Sequence, residues 1–160
     1  QQVSSQLQVS PFMLLLTTFN LLLARYTRQQ DIAIGVPVAN RHHLDVEPLI
    51  GTLVNTLVIR TNLSGELDFT ELLQRVRDVL LDAYAHQDLP FEKLVNEVVD
   101  KRDPSYTPLV QVIFNMVNTP FAYERMADLP ITLVQFDRGA AQFDLSVSVS
   151  IDENLPLEPR

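Results

Sequence analysis

The segment Ile50–Arg60, IGTLVNTLVIR, runs from a glycine turn signal into an apolar stretch rich in β-branched residues and stops on a charge. That pattern reads as a short buried strand, Thr52 to Arg60, entered from a turn at Gly51. Two polar side chains break it. Asn55 lies within the apolar run, where a carboxamide either holds a ligand or is satisfied inside the fold. Arg60 either pairs with a carboxylate or marks the strand end.

Upstream, Ser10-Pro11 is a helix start, with serine able to cap and proline favoured at the first helical position. The helix predicted from there to about Arg28 is apolar nearly all round, so it should be covered on several sides. Asp31–Val38, DIAIGVPV, reads as a buried strand. Downstream from Asp68, the residues Phe69, Leu72, Leu73, Val76, Val79, Leu80 and Ala83 recur at helical spacing, and Asp68 with Glu71 resembles a capping box. Asp88–Pro90 breaks that helix. A shorter one is predicted from Phe91 to about Val99, with Asp88 placed to cap it.

Leu109–Asn118 and Ile131–Phe136 are candidate strands, and Phe143–Ile151, FDLSVSVSI, is the clearest. Phe143, Leu145, Val147, Val149 and Ile151 share one face, while Asp144, Ser146, Ser148 and Ser150 share the other, toward water or a polar cavity. The predicted fold class is α/β, a two-layer α/β sandwich with helices covering one side of a sheet.

At 160 residues, 46% hydrophobic and 20% charged, residues 1–160 fit a single domain able to bury a core. A net charge of −8 with scattered basic residues argues against nucleic acid and an anionic membrane as partners. The run from Pro11 to Ala24 is too short to span a bilayer and is interrupted by Thr17, Thr18 and Asn20. The absence of cysteine removes disulfides and thiolate chemistry and suits a reducing cytoplasm. Gln1–Ser10 reads as if it began inside a larger element, and the chain stops at LEPR just after its clearest strand. The expectation is a fragment.

A search for chemistry finds no GxSxG elbow, Walker loop, HExxH or dinucleotide-binding fingerprint. His42, His43 and His86 make a zinc set arithmetically, but adjacent histidines in a loop rarely converge on one metal. HQDLPFEKLV (His86–Val95) and RDPSYTPL (Arg102–Leu109) read as architecture. Gln87, Asp88, Pro90, Phe91, Arg102, Asp103 and Pro108 would serve in turns, caps and backbone bonds.

IGTLVNTLVIR, HQDLPFE and RDPSYTPL, in that order, resemble the condensation domains of nonribosomal peptide synthetases. These carry an IGxFVNT-type strand ending in Arg, an HQDxPFE turn and an RDxSxxPL loop. SPFMLLLTTFNLLLARY, DIAIGVPVANR and FDLSVSVS also look like the family, so the similarity covers almost the whole chain. Leu53 replaces an aromatic residue, and Tyr106 and Thr107 stand where Arg and Asn are common.

The resemblance implies a chloramphenicol-acetyltransferase-like lobe with a mixed, largely antiparallel sheet, one of two lobes that enclose a tunnel. It implies amide-bond formation between thioesters carried on the phosphopantetheine of donor and acceptor carrier proteins, beside a neighbouring adenylation domain, in secondary metabolite biosynthesis. No cofactor would be bound by the lobe itself. A histidine of an HHxxxDG motif would orient or deprotonate the attacking amine.

His42-His43 mimic that motif, but Glu47 and Pro48 would fill its Asp and Gly positions, and proline lacks the freedom of glycine. The family's motif also lies upstream of all three stretches found here. The resemblance therefore implies the C-terminal lobe, with the N-terminal catalytic-histidine lobe absent and no catalytic residue within the chain. His42 and His43 would be solvent-exposed, and Asn55 and Arg60 would lie nearest the channel. A lobe without its partner would expose apolar surface and self-associate. The alternatives are a non-catalytic carrier-docking module, an epimerisation or cyclisation relative, and an acyltransferase that oligomerises around His43.

Overall fold

The computed structural model describes residues 4, 6–41, 43–101, 103, 105–117, 125–126, 129–130 and 139–150. Helix α1 spans Pro11–Thr27 as its start signal predicts. Ser10 Oγ accepts the Met13 N–H at 3.2 Å, and the helix ends where Arg28 turns left-handed and donates its N–H to the Ala24 carbonyl at 2.8 Å. Its buried polar residues bond back to the preceding turn: Thr17 Oγ1 donates to the Met13 carbonyl, and Asn20 Nδ2 to that of Leu16. Cover is not complete, because Leu15, Thr18 and Leu22 form an exposed stripe.

Strands β1 (Asp31–Val38) and β2 (Asn55–Asn62) pair antiparallel in unbroken register, from Asp31 opposite Asn62 to Val38 opposite Asn55. That register corrects the strand predicted from Thr52. Pairing stops with Val38, so residues 52–54 stay in the connecting loop.

Helix α2 (Phe69–Ala85) starts from a complete capping box. Asp68 Oδ1 accepts the Glu71 N–H at 2.8 Å, while Glu71 Oε2 accepts the Asp68 N–H at 2.9 Å. Leu72, Leu73, Val76 and Leu80 form its buried face. Helix α3 follows at Phe91–Val98.

β3 is Val112–Val117 and starts later than the predicted Leu109, because Leu109 is left-handed (φ 64) and the Val110 N–H bonds back to the Pro108 carbonyl at 2.8 Å; Asn118 lies outside the described residues. This tight, strained γ-type turn ends before the strand can start. Two two-residue strands, β4 (Arg125–Met126) and β5 (Leu129–Pro130), pair with each other and are too short to leave a hydropathy pattern. β6 is Leu145–Ser150. The predicted strand Ile131–Phe136, and Ile151, lie outside the described residues.

The four-stranded sheet has the order β2-β1-β3-β6 and is mixed. In it β1–β2 is antiparallel along its whole length, β3–β6 is parallel, and β1–β3 pairs in parallel only where Gly35 meets Ile113. Each parallel neighbour is reached by a long crossover rather than a hairpin.

Alternation decides what each face meets. Ile32, Ile34 and Val36 of β1 and Leu57, Ile59 and Thr61 of β2 are buried in the core shared with α1 and α2. Phe114 of β3 stacks on Phe19 with ring centres 5.2 Å apart and meets Phe12 at 5.6 Å. The opposite face is not bare, as the one-sided arrangement would have it. Thr56 and Val58 line hollows there together with Leu94, Val95 and Val98 of α3.

Gly35 of β1 sits on that second face. A Cβ there would overlap Ile113 Cδ1 and press on Thr56 Cγ2 and Val110 Cγ2 at 3.2 Å. Gly35→Val is expected to lower stability by about 1–3 kcal/mol through overpacking, and Ile113→Ala in the same chain to recover part of that loss. Urea denaturation checks this; an unchanged midpoint for Gly35→Val would contradict it.

Candidate functional site

The three motif stretches, far apart in sequence, meet around one hollow beside the start of β2. Asn55 opens β2, the edge strand, and its carboxamide reaches the turn between α2 and α3. Nδ2 donates to the Gln87 carbonyl at 2.9 Å and the Leu89 carbonyl at 2.8 Å, and Oδ1 accepts the Phe91 N–H at 3.0 Å. Only this orientation of the amide sets donors against carbonyls and acceptor against N–H.

Asn55 therefore caps α3 from another element, which corrects the expectation that Asp88 does so. The N-cap position is Pro90, whose ring offers no side-chain acceptor. Asp88 and Pro90 stay exposed in the turn, and Phe91 is half-buried.

Thr107 and Pro108 of the third stretch close the same region. Thr107 Oγ1 donates to the Gln142 carbonyl at 3.1 Å, Gln111 Nε2 to the Thr107 carbonyl at 2.8 Å, and the Leu145 N–H to the Gln111 carbonyl at 3.3 Å. These bonds seat the loop on the start of β6. Between the walls lies an open hollow of about 270 Å³, bounded by Asn55, Phe91, Glu92, Thr107, Pro108 and Phe143.

Earlier in that loop, Asp103 Oδ1 accepts both the N–H (2.9 Å) and the hydroxyl (2.6 Å) of Ser105, and these bonds hold its carboxyl below the usual range. Arg102 lies outside the described residues.

Arg60 does not bound this hollow; it lines a neighbouring one with Val58, Leu94, Val98 and Leu109. Its Nε donates to Asp31 Oδ1 at 2.9 Å and its Nη2 to Oδ2 at 2.6 Å, a forked pair between neighbouring strands. The guanidinium's hydrogen bonds hold the Asp31 carboxyl below its ordinary value and raise that of Arg60. Both side chains are exposed, so the pair adds little to stability.

His43 is exposed in the loop after β1, and His42 lies outside the described residues. His86 ends α2, with Nδ1 2.9 Å from the Asp82 carbonyl. The loop owes its shape to Arg41, a residue to which the sequence pattern assigns no role. Arg41 Nη1 donates to the carbonyls of Val46 (2.8 Å), Glu47 (3.2 Å) and Leu49 (2.8 Å), and Nη2 to that of Gly51 (2.8 Å). Gly51 thus enters the site through its backbone. An arginine directly before an irregular stretch was the one available signal, and it does not say which carbonyls would be gathered.

What this arrangement does is hold backbone segments in register. Among the described side chains bounding the hollow, Glu92 is the ionisable one, and it lies exposed in the first turn of α3, where a carboxylate suits the helix N-terminus.

The family model described as condensation domain matches residues 1–158. The chain belongs to the condensation-domain family. It is 44% identical over 151 residues to a linear gramicidin synthase of Brevibacillus parabrevis, across 93% of this chain and 3% of that protein. It is 38% identical over 148 residues to surfactin synthase subunit 1 of Bacillus subtilis (strain 168), across 92% of this chain and 4% of that protein.

Among solved structures, the condensation domain from the monacolin K polyketide synthase MokA shares the fold, with a TM-score of 0.79 at 23% identity over 95% of this chain and 35% of that one. AB3403, a four-domain nonribosomal peptide synthetase, gives 0.73 at 26% identity over 82% of this chain and 10% of that one. The chain therefore spans 3 to 4% of these curated relatives and about a third of the condensation domain it overlays.

Replacing Asn55 by Ala should cost about 2–3 kcal/mol, since three polar backbone groups lose their partner together. Asn55→Asp should cost at least as much, because a carboxylate cannot donate to two carbonyls. Chemical denaturation measures both; a loss under about 0.5 kcal/mol for either would remove the clamp from the account.

Proposed function

We propose that this chain is the C-terminal lobe of a condensation domain of a nonribosomal peptide synthetase. In the complete domain it forms one wall and the floor of the passage in which an acceptor amine attacks a donor thioester to make an amide bond. Both substrates arrive on the phosphopantetheine of carrier proteins, in an assembly with an adenylation domain, in the cytoplasm. Asn55 and the motif stretches hold the wall's shape, and the base that activates the amine comes from the N-terminal lobe.

The observation that carries this reading is the use of Asn55. The most chemically versatile side chain at the motif junction spends both donors and an acceptor on its own backbone. A site built for acid–base chemistry would keep such groups for a substrate. The Arg41-organised loop adds support. Leu44 is 85% exposed and Ile50 wholly so, with Leu49 and Val54 more than half exposed. Apolar side chains held out on an ordered loop suit burial against further protein.

The test is amide formation between two loaded carriers. The complete domain should turn over, this chain alone should not, and adding the upstream lobe in trans should restore activity. His43→Ala in the complete domain should leave the rate unchanged. Turnover by the isolated chain that His43→Ala abolishes would refute the reading.

A docking role has one observation in its favour. The X-domain in the complex of the X-domain and OxyB from teicoplanin biosynthesis is 28% identical over 72% of this chain, with a TM-score of 0.67. Carrier binding without turnover by the complete domain would select that role.

A further inference from the structure

The corner where α1 runs into β1 carries a hollow of about 280 Å³, on the helix layer and apart from the motif junction. Half-buried Leu21, Ala24 and Leu63 form its floor, and exposed Arg25, Arg28 and Gln29 its rim. Leu63 is tied there by its N–H, which donates to the Gln30 carbonyl at 2.6 Å.

Elsewhere Arg41, Arg60 and Arg75 are committed to backbone carbonyls or to Asp31, and Arg77 bonds Gln74. Arg25 and Arg28 make no side-chain hydrogen bond or ion pair among the described residues. Helix polarity accounts for only one of them. Arg25 sits in the last turn of α1, where a cation suits the carbonyl end. Arg28 lies past that end in the left-handed region (φ 59), a position that glycine fills at least cost. A guanidinium kept on strained backbone, beside a second one and over an apolar floor, marks a site.

The carboxylates closest in sequence do not neutralise the pair. Asp31 is held by Arg60, Asp68 and Glu71 form the capping box, and Glu66 is exposed and does not line the hollow. In a chain of net charge −8, an acidic partner is repelled by most of the surface and attracted at this corner. A small free anion would leave the apolar floor uncovered and face the carbonyl end of α1. A peptide segment with a carboxylate next to an apolar side chain satisfies both halves. The relatives offer a source, since each extends far beyond the stretch that this chain matches.

We propose that Arg25 and Arg28, over the floor of Leu21, Ala24 and Leu63, dock an acidic segment from another domain of the same synthetase polypeptide. This rests on the condensation reading above, which supplies the larger polypeptide.

The experiment uses the full synthetase that contains this chain, with Gln29→Lys placing a reactive amine at the rim beside both arginines. A carbodiimide joins that amine to a carboxylate held against it, with loss of water, and peptide mass spectrometry identifies the partner. The introduced amine should couple to an Asp or Glu of the same polypeptide outside residues 1–160. Coupling should fall about fivefold or more in Arg25→Glu, in Arg28→Gly, and on raising NaCl from about 0.05 to about 0.5 M. Arg28→Gly relieves the backbone, so amide exchange in β1 should stay as slow as in the parent, which separates lost docking from lost folding.

Coupling only within residues 1–160, or to a second copy distinguished by isotope labelling, would overturn the proposal. So would no coupling while the exposed Lys93 and Lys101 react, or coupling that neither variant nor salt lowers. A synthetase that couples as expected yet forms no amide bond between loaded carriers would keep the docking site and sink the condensation reading instead.

Discussion

The carboxamide of Asn55 holds three backbone groups of the single turn that carries the chain from one face of the sheet to the other. α2 packs on the core face of β2 and α3 on the reverse face, so the chain from Gln87 to Phe91 must wrap around the strand's start. A turn of that kind leaves carbonyls and a helix N–H pointing at the strand, and each would be costly if unpaired. One side chain with two donors and an acceptor satisfies them together. Remove it, and the placement of α3, the wall it forms with Thr56 and Val58, and the hollow beside Phe91 lose their common anchor.

The same logic recurs in the loop between β1 and β2. A long irregular connection joins two strands in unbroken register, and the Arg41 guanidinium supplies the order that secondary structure does not. Planar, forked donors suit several carbonyls at once. In both places a polar side chain that looks available for chemistry is committed to holding main chain. That commitment fits a lobe that shapes a passage whose reacting groups come from elsewhere.

Much of the fold was readable in the residues, because local rules governed those parts. Ser10-Pro11 and the Asp68–Glu71 pair set helix starts by bonds within one turn, and β-branched runs marked β1 and most of β2. What was not readable depended on contacts distant in sequence. Nothing local to Asp88 says that a cap is already provided by a residue more than thirty positions earlier. The start of β2 is set by where β1 ends, and that of β3 by a left-handed Leu109. The pairing direction of β3 and β6 is fixed by crossovers, which leave no signature in hydropathy.

For the site, the motif stretches marked the right places, and the structure brings Asn55, Phe91 and Pro108 to one hollow while leaving Arg60 paired with Asp31 on the surface. The role of each polar atom needed geometry, since a carboxamide in an apolar run reads equally well as ligand-binding or self-satisfying.

The most direct measurement is amide hydrogen exchange along the chain, with and without Asn55. If this side chain anchors α3, the Phe91 amide is protected in the native protein. Asn55→Ala should then raise exchange at Phe91 and through the first turn of α3 by an order of magnitude or more, with β1, the rest of β2 and α2 unaffected. Exchange at Phe91 that does not change, or that rises only in step with the whole chain, would contradict the account.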